Sequence, residues 1–178
     1  HYPLRRQRQM CIRDRVSSTT VFDHDKRGFI DENTPLRTSK DPYTKSKLLC
    51  EKWAREKQRL GAPLQISYPV GVIGPDDPSL SASNFALIGF KEMVPITTSG
   101  LQYIDARDLA NAHLHMLENP HSEPEAARYI FAGKLNSWQE IHSMIEQASG
   151  ETIKAQKLSP ALMRFIGCLL YTSDAADE

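Results

Sequence analysis

The chain has 178 residues, enough for one domain with its own core, and its 22 basic and 22 acidic side chains cancel. That balance argues against a broad basic face for nucleic acid or acidic membranes. No apolar run approaches the roughly 18 residues of a membrane-crossing helix, and His1–Arg15 lacks the apolar stretch of a signal peptide. Cys11, Cys50 and Cys168 cannot pair completely, so no disulfide framework is expected and a reducing cytoplasm is the default compartment.

Two end segments, Arg5–Arg15 and Cys168–Glu178, have neither helical nor strand periodicity. The second can be encoded by a nucleotide string whose reverse complement translates to Arg5–Asp14. Those nucleotides resemble a transposase-type sequencing adapter read as coding sequence. Both segments are therefore expected to be foreign and are set aside from fold reasoning, while residues 1–4 stay unassigned. The rival reading is a basic arm and an acidic tail that pair electrostatically. On the adapter reading, only Cys50 belongs to the natural chain.

Val16–Phe22 is short and β-branched, the end of a strand running into a loop. Asp23–Pro42, with Gly28, Pro35 and Pro42, reads mostly as loop. Tyr43–Leu60 turns helical, with Leu48, Leu49, Trp53 and Leu60 as its apolar stripe and Gly61 as its C-terminal glycine. Cys50 on this helix is expected to be a small buried residue, and Trp53 and Trp138 to pack in the core or at a cap.

Leu64–Val72 is a buried-strand candidate, broken by Gly74-Pro75-Asp76-Asp77-Pro78. Phe85–Phe90 can form a helix. Leu101–Ile104 is a short strand, and Asp105 caps a helix to Leu117 whose inner face holds Leu109, Ala110, His113, Leu114 and Leu117. Arg128–Ala132 is a further strand. Ser137-Trp138-Gln139-Glu140 is a capping box for a helix that Gly150 closes, and Ser159-Pro160 opens one more. Strands alternating with helices predict an α/β fold with a parallel sheet.

Tyr43-Thr44-Lys45-Ser46-Lys47 puts a phenol and an ammonium at i and i+4 on one helix face, about 5–6 Å apart. A neighbouring cation favours phenolate, so such a phenol can give or take a proton near neutral pH. Taken alone, the motif also fits a solvated helix face. Ser18 lies twenty-five residues upstream, where a strand-end hydroxyl can bond the oxygen that Tyr43 protonates, or can simply be a turn or cap serine. His113 and His115 fall on different helix faces and are poor co-ligands, so no metal is expected.

With these residues in view, Val16–Phe165 resembles the extended branch of the short-chain dehydrogenase/reductase family, the NAD-dependent epimerase/dehydratase-like enzymes. The resemblance rests on four elements in order: Ser17-Ser18 at a strand end, Tyr43…Lys47 on a helix, Pro69-Val70-Gly71-Val72-Ile73-Gly74-Pro75, and Asp105-Ala106-Arg107-Asp108 at a helix start. It implies an incomplete Rossmann-type domain, a doubly wound parallel sheet lacking its N-terminal half, plus a small C-terminal substrate-binding region. Residues 16–73 would carry the catalytic half of the dinucleotide-binding fold. Residues 74–167 would carry the substrate region, with returning Rossmann elements at about 101–132.

The resemblance also implies roles. Tyr43 would be the general acid/base. Lys47 would stabilise its phenolate and bind the nicotinamide ribose. Ser18 would orient the substrate oxygen, with Thr19 the fallback if the register slips by one. Pro69 and Val72 would line the nicotinamide end of the pocket, unless they are ordinary strand-end structure. Ser83 and Asn84 could line the substrate pocket or belong to a polar surface loop. Asp105, Arg107 and Asp108 read as a cap and salt-bridge site. The cofactor would be NAD or NADP, the partner a small-molecule carbonyl or alcohol, and a homodimer one assembly open to the parent protein.

One departure concerns the cofactor. No Gly-x-x-Gly-x-x-Gly stands anywhere in the sequence to cradle a pyrophosphate, so the chain by itself is expected to bind dinucleotide poorly, to be poorly stable and to be inactive. A second concerns the substrate. The family's nucleotide-sugar epimerases often have an Asn just before the Gly-Pro turn, where Gly71-Val72-Ile73 offers no polar side chain, a feature nearer the reductase and hydroxysteroid-dehydrogenase-like side. The leading expectation is therefore an NAD(P)-dependent oxidoreductase acting at a carbonyl or carbinol carbon. The alternatives are a nucleotide-sugar epimerase or dehydratase and a non-catalytic dinucleotide-binding protein of the same fold.

Overall fold

The computed structural model describes residues 13–24, 28–159 and 161. The chain divides into two compact units, one of residues 1–74 and 103–133 and the other of residues 75–102 and 134–178.

The first unit is built on a three-stranded parallel sheet in the order β1–β2–β6, comprising β1 (Arg13–Val16), β2 (Leu64–Pro69) and β6 (Arg128–Phe131). Val16 pairs with Ser67, and Pro69 pairs with Phe131. Helix α1 (Pro42–Arg59) connects β1 to β2. Parallel neighbours need such a crossover, which must run back along the sheet, so α1 starts at the carboxyl edge of the strands. Pro42 fits the first helical position, Asp41 caps the Thr44 N–H at 2.6 Å, and Gly61 follows with φ +81°, a left-handed conformation that glycine adopts without strain.

The core joins Leu48 and Ala54 of α1 to Leu64, Ile66 and Tyr68 of β2 and to Val21 and Phe22. Each large apolar side chain fully buried here contributes about 1.5–3 kcal/mol. Strand β3 (Gly71–Ile73) pairs in parallel with the second half of β5 (Gly100–Asp105), and α3 (Ala106–Glu118) follows, capped by Asp105. Gly133 passes so close to the Tyr103 carbonyl that a Cβ there has no room.

The second unit contains α2 (Ala82–Gly89), β4 (Met93–Ile96), the first half of β5, β7 (Leu135–Ser137), α4 (Trp138–Ser149) and β8 (Lys154–Lys157). Strands β4 and β8 pair in parallel, whereas β5 and β7 pair antiparallel. The capping box of Ser137 and Glu140 is complete, and Gly150 closes α4 with φ +71°. Trp138 meets Phe90 edge-on and donates its Nε1–H to Ser99 Oγ.

Several expectations are corrected. Leu49, Trp53 and Leu60 are 60–64% exposed rather than core. The buried face of α1 is Thr44, Leu48, Glu51, Ala54 and Gln58, whose polar members bond inward. Cys50 is exposed, and Leu114 is exposed on α3, where Met116 is the buried residue. Strand β1 begins at Arg13, inside the segment read as adapter-like. The helix near Phe85 starts earlier, at Ala82. The helix expected from Pro160 and the segments 1–12 and 168–178 lie outside the described residues. No helix among the described residues is long and apolar enough to cross a membrane.

Candidate active site

The carboxyl edge of the β1–β2–β6 sheet carries Ser18, Thr19 and Pro69, and the opening turns of α1 carry Tyr43 and Lys47. The Ser17 N–H donates to the Ser67 carbonyl at 2.8 Å, which extends the β1–β2 ladder by one residue. In that register Ser18 lies level with Pro69, the last, buried residue of β2. Ser18 is extended, at φ −160° and ψ 149°, and its hydroxyl caps the 3-10 turn Thr19–Val21 by accepting from the Thr20 N–H at 3.3 Å. The cap reading of Ser18 is thus realised in the fold, and the same bond holds the hydroxyl at the sheet edge.

Thr20 ties this turn to α1, because its hydroxyl lies 3.3 Å from that of Thr44 in the helix's first turn. Thr44 faces inward, so its neighbour Tyr43 faces out and is 57% exposed. Lys47, one turn on, holds its Nζ 5.7 Å from the centre of the Tyr43 ring. The structure therefore pairs phenol and ammonium as the i, i+4 spacing predicts. Among the described residues no carboxylate forms an ion pair with Lys47. Thr19, the alternative to Ser18, is engaged through its carbonyl, which lies 3.0 Å from His24 Nε2.

On the inner face of the same helix lies a buried polar cluster that sequence reasoning missed. Glu51, two turns beyond Tyr43, is fully buried. It accepts from Ser17 Oγ at 2.9 Å, Tyr68 OH at 2.6 Å and Arg55 Nε at 2.7 Å. Burial first, and the Glu51 charge second, push the Tyr68 phenol well above its ordinary range, so it remains a donor. The available signal was the spacing of Thr44, Leu48, Glu51, Ala54 and Gln58, which is helical although three of the five are polar.

Val72 sits half-buried in β3, paired with Ile104. Asp105 accepts from the Arg107 N–H at 2.8 Å and forms an ion pair with its guanidinium at 2.6 Å. The Arg107 bonds hold the Asp105 carboxyl down at about 2. These residues form a helix cap.

In the second unit Ser83 and Asn84 lie in the first turns of α2. Asn84 donates to Asp77 at 2.8 Å, and Asp77 also accepts from the backbone of Ser79 and Ser81. Hydrogen bonding from Ser81 first, then Asn84, holds Asp77 well below the usual carboxylate range. The loop after Gly74-Pro75 is thus organised around Asp77. Among the described residues no group of three or more His, Cys, Asp or Glu is placed to hold a metal ion.

The exposed Tyr43 phenol and the half-buried Lys47, on a helix that starts at the carboxyl edge of the sheet, have the chemistry to hold the ribose and carboxamide end of a nicotinamide dinucleotide. Open parallel sheets characteristically bind ligands at that edge. No glycine-rich turn in the sequence suits the pyrophosphate end.

The chain was compared with known proteins. No curated protein matches it. Among solved structures, a nucleoside-diphosphate-sugar epimerase from Pseudomonas aeruginosa is similar at 22% identity and a TM-score of 0.72, over 88% of this chain and 52% of that one. A UDP-glucuronic acid 4-epimerase from Bacillus cereus, in complex with UDP-glucuronic acid and NAD, is similar at 20% identity and a TM-score of 0.64, over 82% and 48%. RMD from Pseudomonas aeruginosa, complexed with NADPH, is similar at 18% and 0.64, over 81% and 53%. At these identities the likeness is one of fold, and the chain spans about half the length of the structures it matches. The profile of the NAD dependent epimerase/dehydratase family matches residues 15–131, well over half of the sequence, and the chain belongs to that family.

Proposed function

We propose that this chain carries the proton-transfer half of a nicotinamide-dependent enzyme that acts at a carbinol carbon of a nucleotide sugar, within a protein that also holds a pyrophosphate-binding half. The observation that carries this reading is the Tyr43–Lys47 pair, 5.7 Å from amine to ring centre, in the opening turns of the helix that starts beside Ser18. NAD or NADP, when bound, supplies the hydride acceptor or donor. Tyr43 takes the hydroxyl proton of the substrate as the carbinol is oxidised and returns it when the carbonyl is reduced. Lys47 stabilises the phenolate electrostatically and hydrogen-bonds the nicotinamide ribose. Ser18 donates to the reacting oxygen and fixes its position, and Pro69 and Val72 pack beside the nicotinamide. Ser83 and Asn84, on the polar segment organised by Asp77, are the second unit's own candidates for substrate contact.

Family membership supports the cofactor class, and the nucleotide-sugar substrate of the Bacillus cereus relative supports the substrate class. A second reading, net reduction of a carbonyl or oxidation of an alcohol, is favoured by one feature: Gly71, Val72 and Ile73 offer no polar side chain before Gly74-Pro75. Stoichiometry separates the two. The full-length protein, incubated with UDP- or dTDP-sugars and nicotinamide dinucleotide, is expected to convert the sugar with no net change in absorbance at the reduced-nicotinamide band. One nicotinamide consumed per product would favour the second reading, and absence of turnover with both substrate classes would refute the proposal.

A further inference from the structure

Glu51 is a carboxylate with no exposed surface. Removing such a group from water carries a heavy desolvation penalty, and replacing a buried ionic cluster with apolar side chains of similar volume is often neutral or stabilising. The same helix face already contains Leu48 and Ala54, so an apolar residue at position 51 would continue the core. What a carboxylate adds to such a site is direction.

Both oxygens of Glu51 are used. Oε1 accepts from Tyr68 OH at 2.6 Å and Arg55 Nε at 2.7 Å, and Arg55 also reaches Tyr68 OH at 3.3 Å. Oε2 accepts from Ser17 Oγ at 2.9 Å. Tyr68 and Arg55 hold the carboxylate at one oxygen, so the other has a fixed aim, at the residue preceding Ser18. In extended chain successive side chains leave the backbone on opposite sides, and Ser18 is extended. Anchoring the Ser17 hydroxyl therefore sets the direction in which Ser18 leaves. On the far side of Ser18, the Thr20–Thr44 contact makes a second tie to α1, one residue from Tyr43. Ser18 is bracketed by two side-chain ties to the helix that carries Tyr43 and Lys47.

Resting on the reading of Ser18 and Tyr43 given above, we propose that Glu51 is a positioning residue: through Ser17 it fixes the Ser18 hydroxyl relative to the Tyr43 phenol, so that both meet one substrate oxygen. It touches neither substrate nor cofactor. Its effect belongs to the chemical step, where a misplacement of about 1 Å can cost on the order of 100-fold in rate.

The test is a double-mutant cycle on kcat in the full-length protein with its nucleotide-sugar substrate. Glu51→Ala leaves Arg55 without its carboxylate and threatens folding, so Ser17→Ala, which removes only the tie, is run beside it. Both are expected to lower kcat by about 10- to 100-fold while KM and dinucleotide affinity change little. Glu51→Gln should restore most of the loss, because its amide N–H₂ can donate to Ser17 Oγ while its carbonyl accepts from Arg55 and Tyr68. In a Ser18→Ala background the Ser17→Ala loss should disappear, since nothing is left to position. A loss of equal fold with and without Ser18, or no loss, overturns the proposal. Separately, a Tyr43→Phe protein with undiminished kcat overturns the underlying catalytic reading, so the two failures are distinguishable.

Discussion

Gln58 fastens α1 to the sheet from a fully enclosed position. Its Nε2 donates to the Leu64 carbonyl at 2.8 Å and the Ala127 carbonyl at 3.2 Å, at the start of two neighbouring strands. A hydrogen bond of this kind contributes about 0.5–1.5 kcal/mol, so Gln58→Ala, which removes two, should lower the urea midpoint clearly more than the exposed neighbour change Lys57→Ala. Equal midpoints for the two variants would show that Gln58 holds nothing. At this scale the sequence was partly legible. The pairing of Tyr43 with Lys47 could be read because it depends only on local i, i+4 spacing. Glu51 and Gln58 could not, because each is explained by partners far away in the chain, Ser17 and Ala127. Trp53 misled for the complementary reason: it is apolar, yet it lies on the outer face with Lys57 over its ring.

Strand β1 shows how a sheet position can be filled by residues poorly suited to it. A strand beside a buried parallel neighbour normally carries apolar side chains, whereas β1 reads Arg13-Asp14-Arg15-Val16. Among the described residues, Arg15 Nε is buried without a hydrogen-bond partner, as is Gln65 Oε1 on the adjoining strand. Burial raises the Asp14 carboxyl above its ordinary value of 3.8, an effect only partly offset by its bond from Gln65 and the nearby His113. Arg15→Val should therefore raise stability, by about 1–3 kcal/mol on the cost of one unpaired buried donor. The sign for Asp14 follows from linkage. The folded state binds the proton more tightly, so stability falls as pH rises from 3.8 through the raised folded value, and Asp14→Asn should flatten that decline. Denaturant midpoints between pH 3 and 7 measure both effects. A destabilised Arg15→Val protein would contradict the description of β1 as ill-fitting.

At the scale of the whole chain, the alternation of strands and helices announced an α/β fold with parallel pairing, and the sheet order β1–β2–β6 agrees. The small strands were less legible. Strand β8, Lys154–Lys157, is exposed at every residue and shows no apolar alternation, and its partner β4 lies some sixty residues earlier. Pairing of that kind is set by contacts across the fold, which local periodicity does not encode. The elements on which the proposed function rests lie in the first unit: a parallel sheet, a crossover helix and a strand-end serine. The chain spans about half the length of the structures it resembles, and the proposed reaction is one for a protein that also holds a pyrophosphate site. The central claim is that Tyr43 moves the proton in that reaction. Stopped-flow absorbance of the full-length protein, mixed with nucleotide sugar and oxidised nicotinamide, tests it most directly. Tyr43→Phe should slow nicotinamide reduction by about 10²–10⁴-fold while still binding the dinucleotide, the usual worth of a positioned acid/base. Reduction at the unaltered rate in Tyr43→Phe would contradict the account.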